Sequence, residues 1–175
     1  MSARVLVAYG SKMGGTAEIA QAIARELRAH GAEVDVQRAR DVRSLDPYPY
    51  VVLGSAIYLG RWRREAMKLL AGRQRELLKR RVWLFQSGLE VTDPHGWTEP
   101  TPDAVRTIAE AIGTGLPVTF AGRITRETAR GIIPRIMARG TQAGDFRDWE
   151  RIRLWAADVA LQVQAAHPGL HLHGI

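Results

Sequence analysis

The residues with the clearest chemistry lie near the start of the chain, in Gly10-Ser11-Lys12-Met13-Gly14-Gly15-Thr16. An apolar run precedes them and a helical stripe follows. A strand that turns straight into a helix aims the free first-turn N–H groups at the turn, and glycine lets an anion approach the backbone closely. The hydroxyls of Ser11 and Thr16 add further donors, so the segment suits a phosphate. A triphosphate loop is a poor fit, because no Gly-Lys-Ser/Thr follows the second glycine position. The Gly-x-Gly-x-x-Gly dinucleotide fingerprint is absent as well. The alternative is structural: a glycine-rich turn in which Thr16 caps the helix.

Other chemistry is narrowed mostly by what is missing. The chain has no cysteine, which removes disulfides, thiolate metal sites, iron–sulfur clusters and cysteine nucleophiles together. The histidines are His30, His95, His167, His171 and His173, and none has metal-ligand spacing. His95 alone falls near the expected ligand edge, where it is a candidate proton acceptor. No Ser-His-Asp set and no paired carboxylates are arranged for hydrolysis. No catalytic acid or base and no metal ligand is assigned.

Charge points to the partner. Against 18 Asp and Glu stand 25 Lys and Arg, a formal net charge of +7. That balance favours anionic partners: an acidic small molecule, a membrane surface or nucleic acid. Lysine occurs only at Lys12, Lys68 and Lys79, so most cations are arginines, which suit carboxylate and phosphate recognition. One cluster is Arg61, Arg63 and Arg64; a second is Arg123, Arg126, Arg130, Arg135 and Arg139, interleaved with Ile124, Ile132, Ile133, Ile136 and Met137. Such a mixture fits a segment resting on an anionic bilayer or meeting an acidic ligand, with Pro134 splitting any helix.

The elements that must position these residues alternate. Val5-Leu6-Val7-Ala8-Tyr9, Val51-Val52-Leu53 and Val82-Trp83-Leu84-Phe85 are continuous apolar runs, as strands buried on both faces are. Val34 and Val36 alternate with polar residues, and Val118 and Phe120 give a shorter strand. Between them run helical stripes: Ile19, Ile23 and Leu27, ended by Gly31; Trp62, Ala66, Leu69 and Leu70; Val105, Ile108, Ala109 and Ile112, opened by Thr101-Pro102-Asp103; and Ile152, Trp155, Ala156, Val159, Ala160 and Val163, opened by Asp148. Trp83, Trp149 and Trp155 read as core on these stripes. The pattern predicts an α/β doubly wound parallel sheet of five strands, with the amphipathic second and fifth at the edges and the order 2-1-3-4-5. Residues 1–175 read as one domain, with an insert over about 122–147 and a short polar tail at 166–175. Ligands of such sheets bind at the carboxyl ends of the strands, here after Tyr9, Leu53 and Phe85. No apolar run reaches the roughly 18 residues of a membrane span and no signal peptide is evident, so a cytoplasmic protein is expected.

The stretch from Val7 through Tyr9, Ser11, Gly14, Thr16, Ala20 and Ile23 resembles the FMN-phosphate signature of flavodoxins: an aromatic, a hydroxyl two residues on, a small residue, a threonine and an aliphatic residue. Val51-Val52-Leu53-Gly54-Ser55-Ala56-Ile57-Tyr58-Leu59-Gly60 is similar to the second flavin loop of the menaquinone-dependent protoporphyrinogen IX dehydrogenases, flavodoxin-like FMN enzymes of haem biosynthesis. Phe120-Ala121-Gly122-Arg123, a basic segment, and Asp148-Trp149-Glu150 are similar to that family too, whereas the loop from Ser87 to Trp97 departs from it.

The resemblance implies FMN, with its phosphate on Ser11, Lys12, Met13, Gly14, Gly15 and Thr16. The switch-point rule and the aromatics Tyr58 and Trp97 put the ring between Ser55, Ala56, Ile57, Tyr58 and Gly60 on one side and Ser87, Gly88, Leu89 and Trp97 on the other. Tyr58 and Trp97 are the aromatics for the ring, and Trp62 reads as core. Arg123, Arg126, Arg130, Arg135 and Arg139 then become the contacts for substrate or membrane. The implied activity is oxidation of protoporphyrinogen IX with a quinone acceptor, at or near the inner face of the cell membrane. A flavodoxin-type electron carrier is the second reading; such carriers are typically acidic, and this chain is not. A receiver-type signalling domain would need an acidic cluster where Tyr9-Gly10-Ser11 stands, and only net charge speaks for nucleic acid.

Overall fold

The computed structural model describes residues 2–12, 14–88, 100–124, 144–145 and 147–167. In chain order the elements are β1 (Arg4–Gly10), α1 (Gly15–Ala29), β2 (Glu33–Arg38), a short 3-10 turn (Ala39–Asp41), β3 (Tyr50–Tyr58), β4 (Arg61–Trp62), α2 (Arg64–Gly72), α3 (Gln74–Leu77), β5 (Arg81–Gly88), α4 (Asp103–Ala111), β6 (Val118–Ala121), β7 (Arg123–Ile124), β8 (Gly144–Asp145) and α5 (Trp149–Ala166). The strands of the main sheet lie in the order β2-β1-β3-β5-β6, with neighbours parallel. With the two-residue β4 set aside, this is the expected order, and the two amphipathic strands are the edges.

Each face of the sheet carries its own core, because alternate side chains point to opposite faces. Leu6, Ala8, Val51, Leu53, Val82 and Leu84 pack beneath α2 and α4. Val5, Val7, Val52 and Phe85 pack beneath α1 and α5 with Ile19, Ile23, Leu27, Ile152 and Val159. Phe85 needs the space over Gly54: a Cβ there would come within 2.1 Å of its ring. Phe85, Phe120 and Trp155 form an aromatic cluster with centroids 5.7–6.3 Å apart. Helix α1 ends as its glycine predicts, the Gly31 N–H bonding Arg28 O and the Ala32 N–H bonding Leu27 O. Helix α5 opens on Asp148, whose carboxylate accepts from the Arg151 N–H.

Four readings need correction. Trp62 belongs to β4, not to the helix after it, although its burial in the core is as expected. Thr101 does not cap α4; Pro102 takes the cap position and no side chain bonds there. The structural alternative in which Thr16 caps α1 fails as well, since Gly14 holds that position. Trp149 is exposed rather than core, and the Arg147 guanidinium stacks on its ring at 4.4 Å.

Candidate cofactor site

Parallel strands bring Gly10, Tyr58, Gly88 and Ala121, the last residues of β1, β3, β5 and β6, to one edge of the sheet. The register sets Gly10 beside Ser55, Ser55 beside Gln86 and Gln86 beside Thr119, and one step further Ala56 beside Ser87. The sequence places polar or small residues at these ends, where the strands leave their covering helices.

The loop from β1 into α1 is built for an anion. Gly14 takes a left-handed conformation with φ 84° as the N-cap, and no side chain caps the helix. The first-turn N–H groups therefore carry no side-chain acceptor. Ser11 Oγ accepts from the Gly14 N–H at 3.1 Å and tightens the loop. Thr16, 2% exposed, places Oγ1 2.7 Å from Ser87 Oγ at the end of β5. The two hydroxyls tie the first loop to the third strand end. Lys12 Nζ lies over the Tyr58 ring at 5.5 Å, which places a cation between the phosphate loop and the ring side. A backbone nest at an uncapped helix start, with hydroxyls and a lysine beside it, fits a phosphate ester.

The second flank is strand, not loop, up to Tyr58. Ser55, Ala56, Ile57 and Tyr58 all lie in β3, held by pairing to β5 through Ala56 and to β4 through Ile57–Trp62 and Tyr58–Arg61. Only Leu59 and Gly60 form the turn, with φ 50° and 70°. Two successive left-handed residues make the tight hairpin turn that matches strand twist. Leu59 is the sole non-glycine residue with positive φ among the described residues, and its side chain is 67% exposed. Beneath the hairpin Ser55, Trp62 and Gln86 are paired. Ser55 Oγ donates to Ala56 O and accepts from the Arg63 N–H, and the Trp62 indole N–H donates to Gln86 Oε1, whose amide donates to Thr119 Oγ1. Tyr58, Leu59, Arg61, Trp62 and Arg63 line a cavity of about 410 Å³, within the usual range of ligand sites.

The third flank is Ser87, Gly88 and the ribbon that follows β6. The Gly122 N–H bonds Gly88 O at 2.7 Å, and a Cβ at Gly122 would strike that oxygen. β7 pairs antiparallel with β8, joining the two ends of the insert. Arg147 fixes the return leg. Its side chain, 3% exposed, holds both Asp145 oxygens, at 2.7 and 2.6 Å, and pairs with Glu18 in the first turn of α1. These bonds push the guanidinium pKa further above its ordinary value.

Of the residues singled out in the sequence, Ser11, Lys12, Gly14, Gly15, Thr16, Ser55, Ala56, Ile57, Tyr58, Gly60, Ser87 and Gly88 gather along this edge. Met13, Leu89, Trp97, His95, Arg126, Arg130, Arg135 and Arg139 lie outside the described residues, and Arg123 is described only as part of β7. Sequence reasoning missed Gln86, the Nε of Arg63 that lacks a hydrogen bond, and the Arg147 clamp. A glutamine directly after an apolar run was the available signal for the first; nothing local marks the other two. Among the described residues no cluster of His, Asp and Glu is placed to hold a metal, and no helix is long and apolar enough to cross a membrane.

Comparison with known proteins converges on one fold. The family model described as a flavodoxin domain matches residues 6–127. A flavodoxin from the domain Archaea superposes with a TM-score of 0.60 at 16% identity, over 92% of this chain and 99% of that one. Flavodoxin 2 from Bacillus cereus gives 0.60 at 20% identity, over 94% and 99%. Rubredoxin oxygen:oxidoreductase from Desulfovibrio gigas gives 0.63 at 14% identity over 93% of this chain, which spans only 36% of that protein. No curated protein matches the chain.

Proposed function

Because the chain belongs to the flavodoxin domain family, and so binds FMN, we propose that it is an FMN oxidoreductase that oxidises a reduced acidic substrate. Protoporphyrinogen IX is the substrate the sequence resemblance favours, with a quinone as acceptor. The observation that carries this reading is the cation set at the carboxyl edge: Lys12 over Tyr58, and Arg61 and Arg63 lining the cavity beside it. Arginine pairs with carboxylates through two parallel hydrogen bonds, so these side chains suit an acidic organic molecule better than a neutral one.

The flavin, when bound, supplies the electron-accepting chemistry. The chain's own residues bind and orient. The α1 amides, Ser11 and Thr16 hold the phosphate. Tyr58 and Leu59 give an apolar and aromatic wall, and Arg61, exposed at the cavity, holds the substrate's acid groups. Arg123, Arg126, Arg130, Arg135 and Arg139 are the proposed further contacts for substrate or an anionic membrane, on the sequence resemblance and their charge alone. A net charge of +7 works against a carrier that docks on basic partners.

The test is anaerobic turnover of protoporphyrinogen IX with menaquinone by the FMN-loaded protein. Porphyrin fluorescence should rise only when protein, FMN and quinone are all present. A protein whose FMN is readily reduced by dithionite but which gives no porphyrin would favour the electron-carrier reading.

A further inference from the structure

Arg63 is a partly buried cation with one buried donor that the fold leaves without a hydrogen bond. Its Nε is the one buried side-chain polar atom without a hydrogen-bond partner among the described residues. The side chain is 27% exposed, and Glu65 Oε1 pairs with Nε at 3.8 Å, an ion-pair distance beyond hydrogen-bond range. Buried donors are nearly always paired, and an unpaired one at a site edge calls for an explanation. The chain holds the root of this side chain in place. Its backbone N–H donates to buried Ser55 at 2.8 Å, and its Cβ packs on Gly10, where an added methyl group would come within 3.0 Å of it. Arg63 thus sits between the root of the phosphate loop and the β3–β4 hairpin, and it lines the same cavity as Tyr58, Leu59 and Trp62.

We propose that Arg63 is the countercharge for the reduced flavin ring and sets the cofactor's potential. The inference rests on the FMN reading above and deepens it. Reduction by two electrons with uptake of one proton leaves the ring with a net negative charge, whereas the oxidised ring is neutral. A fixed cation that is only partly screened stabilises the charged form alone. It thereby raises the potential and favours drawing electrons from a substrate over delivering them at low potential. Arg61 lines the same cavity but is exposed, so solvent screens it more.

The experiment uses the full chain loaded with FMN and reduced anaerobically with dithionite against a reference dye, with the oxidised-state FMN Kd measured in parallel. Arg63→Gln keeps the stem that packs on Gly10 and removes the charge. Relative to oxidised FMN, the affinity for reduced FMN should fall about tenfold, the scale of one charge–charge interaction at an intermediate dielectric. For this two-electron couple that is a potential about 30 mV more negative. Oxidised FMN should bind within about twofold of wild type. Arg61→Gln should shift the potential less, and Arg63→Lys should restore most of the shift.

Equal losses in both oxidation states would make Arg63 a phosphate or structural group and overturn the proposal. An unchanged potential in an Arg63→Gln protein that still holds FMN would overturn it too, and would leave the cofactor reading intact. A wild-type protein that holds no flavin would remove both. If Arg63→Gln does not load, Arg63→Lys decides: a potential near wild type supports the countercharge, and a tenfold loss contradicts it.

Discussion

Thr16 Oγ1 and Ser87 Oγ face each other at 2.7 Å, both nearly sealed from water. Either hydroxyl can donate, so Thr16 has a proton to offer a phosphate while Ser87 keeps its own partner. Thr16→Val should remove a hydrogen bond to a charged group and weaken FMN binding by roughly 1.5–3 kcal/mol, read in an equilibrium titration. An unchanged Kd would take the phosphate off this loop. Arg147 works differently. Its guanidinium joins Asp145, in the ribbon that closes the insert, to Glu18, four residues past the N-cap of α1. Arg147→Met would remove the cation that joins these two carboxylates. Both carboxylates are partly exposed and relax into water, so the loss should be about 1–2 kcal/mol rather than the larger figure for a fully buried pair. Thermal unfolding checks it: a Tm equal to wild type would show that the clamp contributes nothing. Thr16 was legible in the sequence because hydroxyl, glycine and helix start fall at fixed spacing. Arg147 was not, since its partners lie 2 and 129 residues away and no pattern links them.

Elements were legible wherever burial repeats with the period of the backbone. The stripes on α1, α4 and α5 bury the residues their spacing picks out, Ile19, Ile23 and Leu27 among them. The β3–β4 hairpin escaped because β4 has two residues, too few for any period. Ser55 and Ala56 near the end of β3 also look like loop chemistry, when pairing to the neighbouring strands in fact makes them strand. Leu59 breaks two rules at once, being apolar, exposed and left-handed. A left-handed residue with a Cβ costs roughly 1–2 kcal/mol, and glycine gives back about 0.5–1 kcal/mol through a freer unfolded chain. Leu59→Gly should therefore leave the Tm unchanged or slightly higher while weakening FMN binding, because it removes one apolar wall of the cavity. A clear drop in Tm would mean that Leu59 serves the fold and not the ligand.

Over the whole molecule, alternating buried strands and amphipathic helices allow few arrangements, and right-handed crossovers reduce them further. That is why sheet order could be read before the structure. Charge is the other global property. A net +7 should make encounters with anionic partners fall off with salt. If the arginines after β7 meet a bilayer, replacing Arg130, Arg135 and Arg139 by glutamine should weaken binding to anionic vesicles by about 1 kcal/mol per charge. If they meet substrate, turnover should fall while vesicle binding holds. A triple variant equal to wild type in both assays would leave them a solvated face.

The central claim is that the edge of this sheet is an FMN site anchored by its phosphate. Parallel titration of the flavin-free protein with FMN and with riboflavin, followed by flavin fluorescence, tests it most directly. The account predicts saturable binding of FMN and an affinity for riboflavin at least about tenfold weaker, since riboflavin lacks the charged group that the α1 amides, Ser11 and Thr16 are arranged to hold. Equal affinity for the two flavins, or binding of neither, would contradict it.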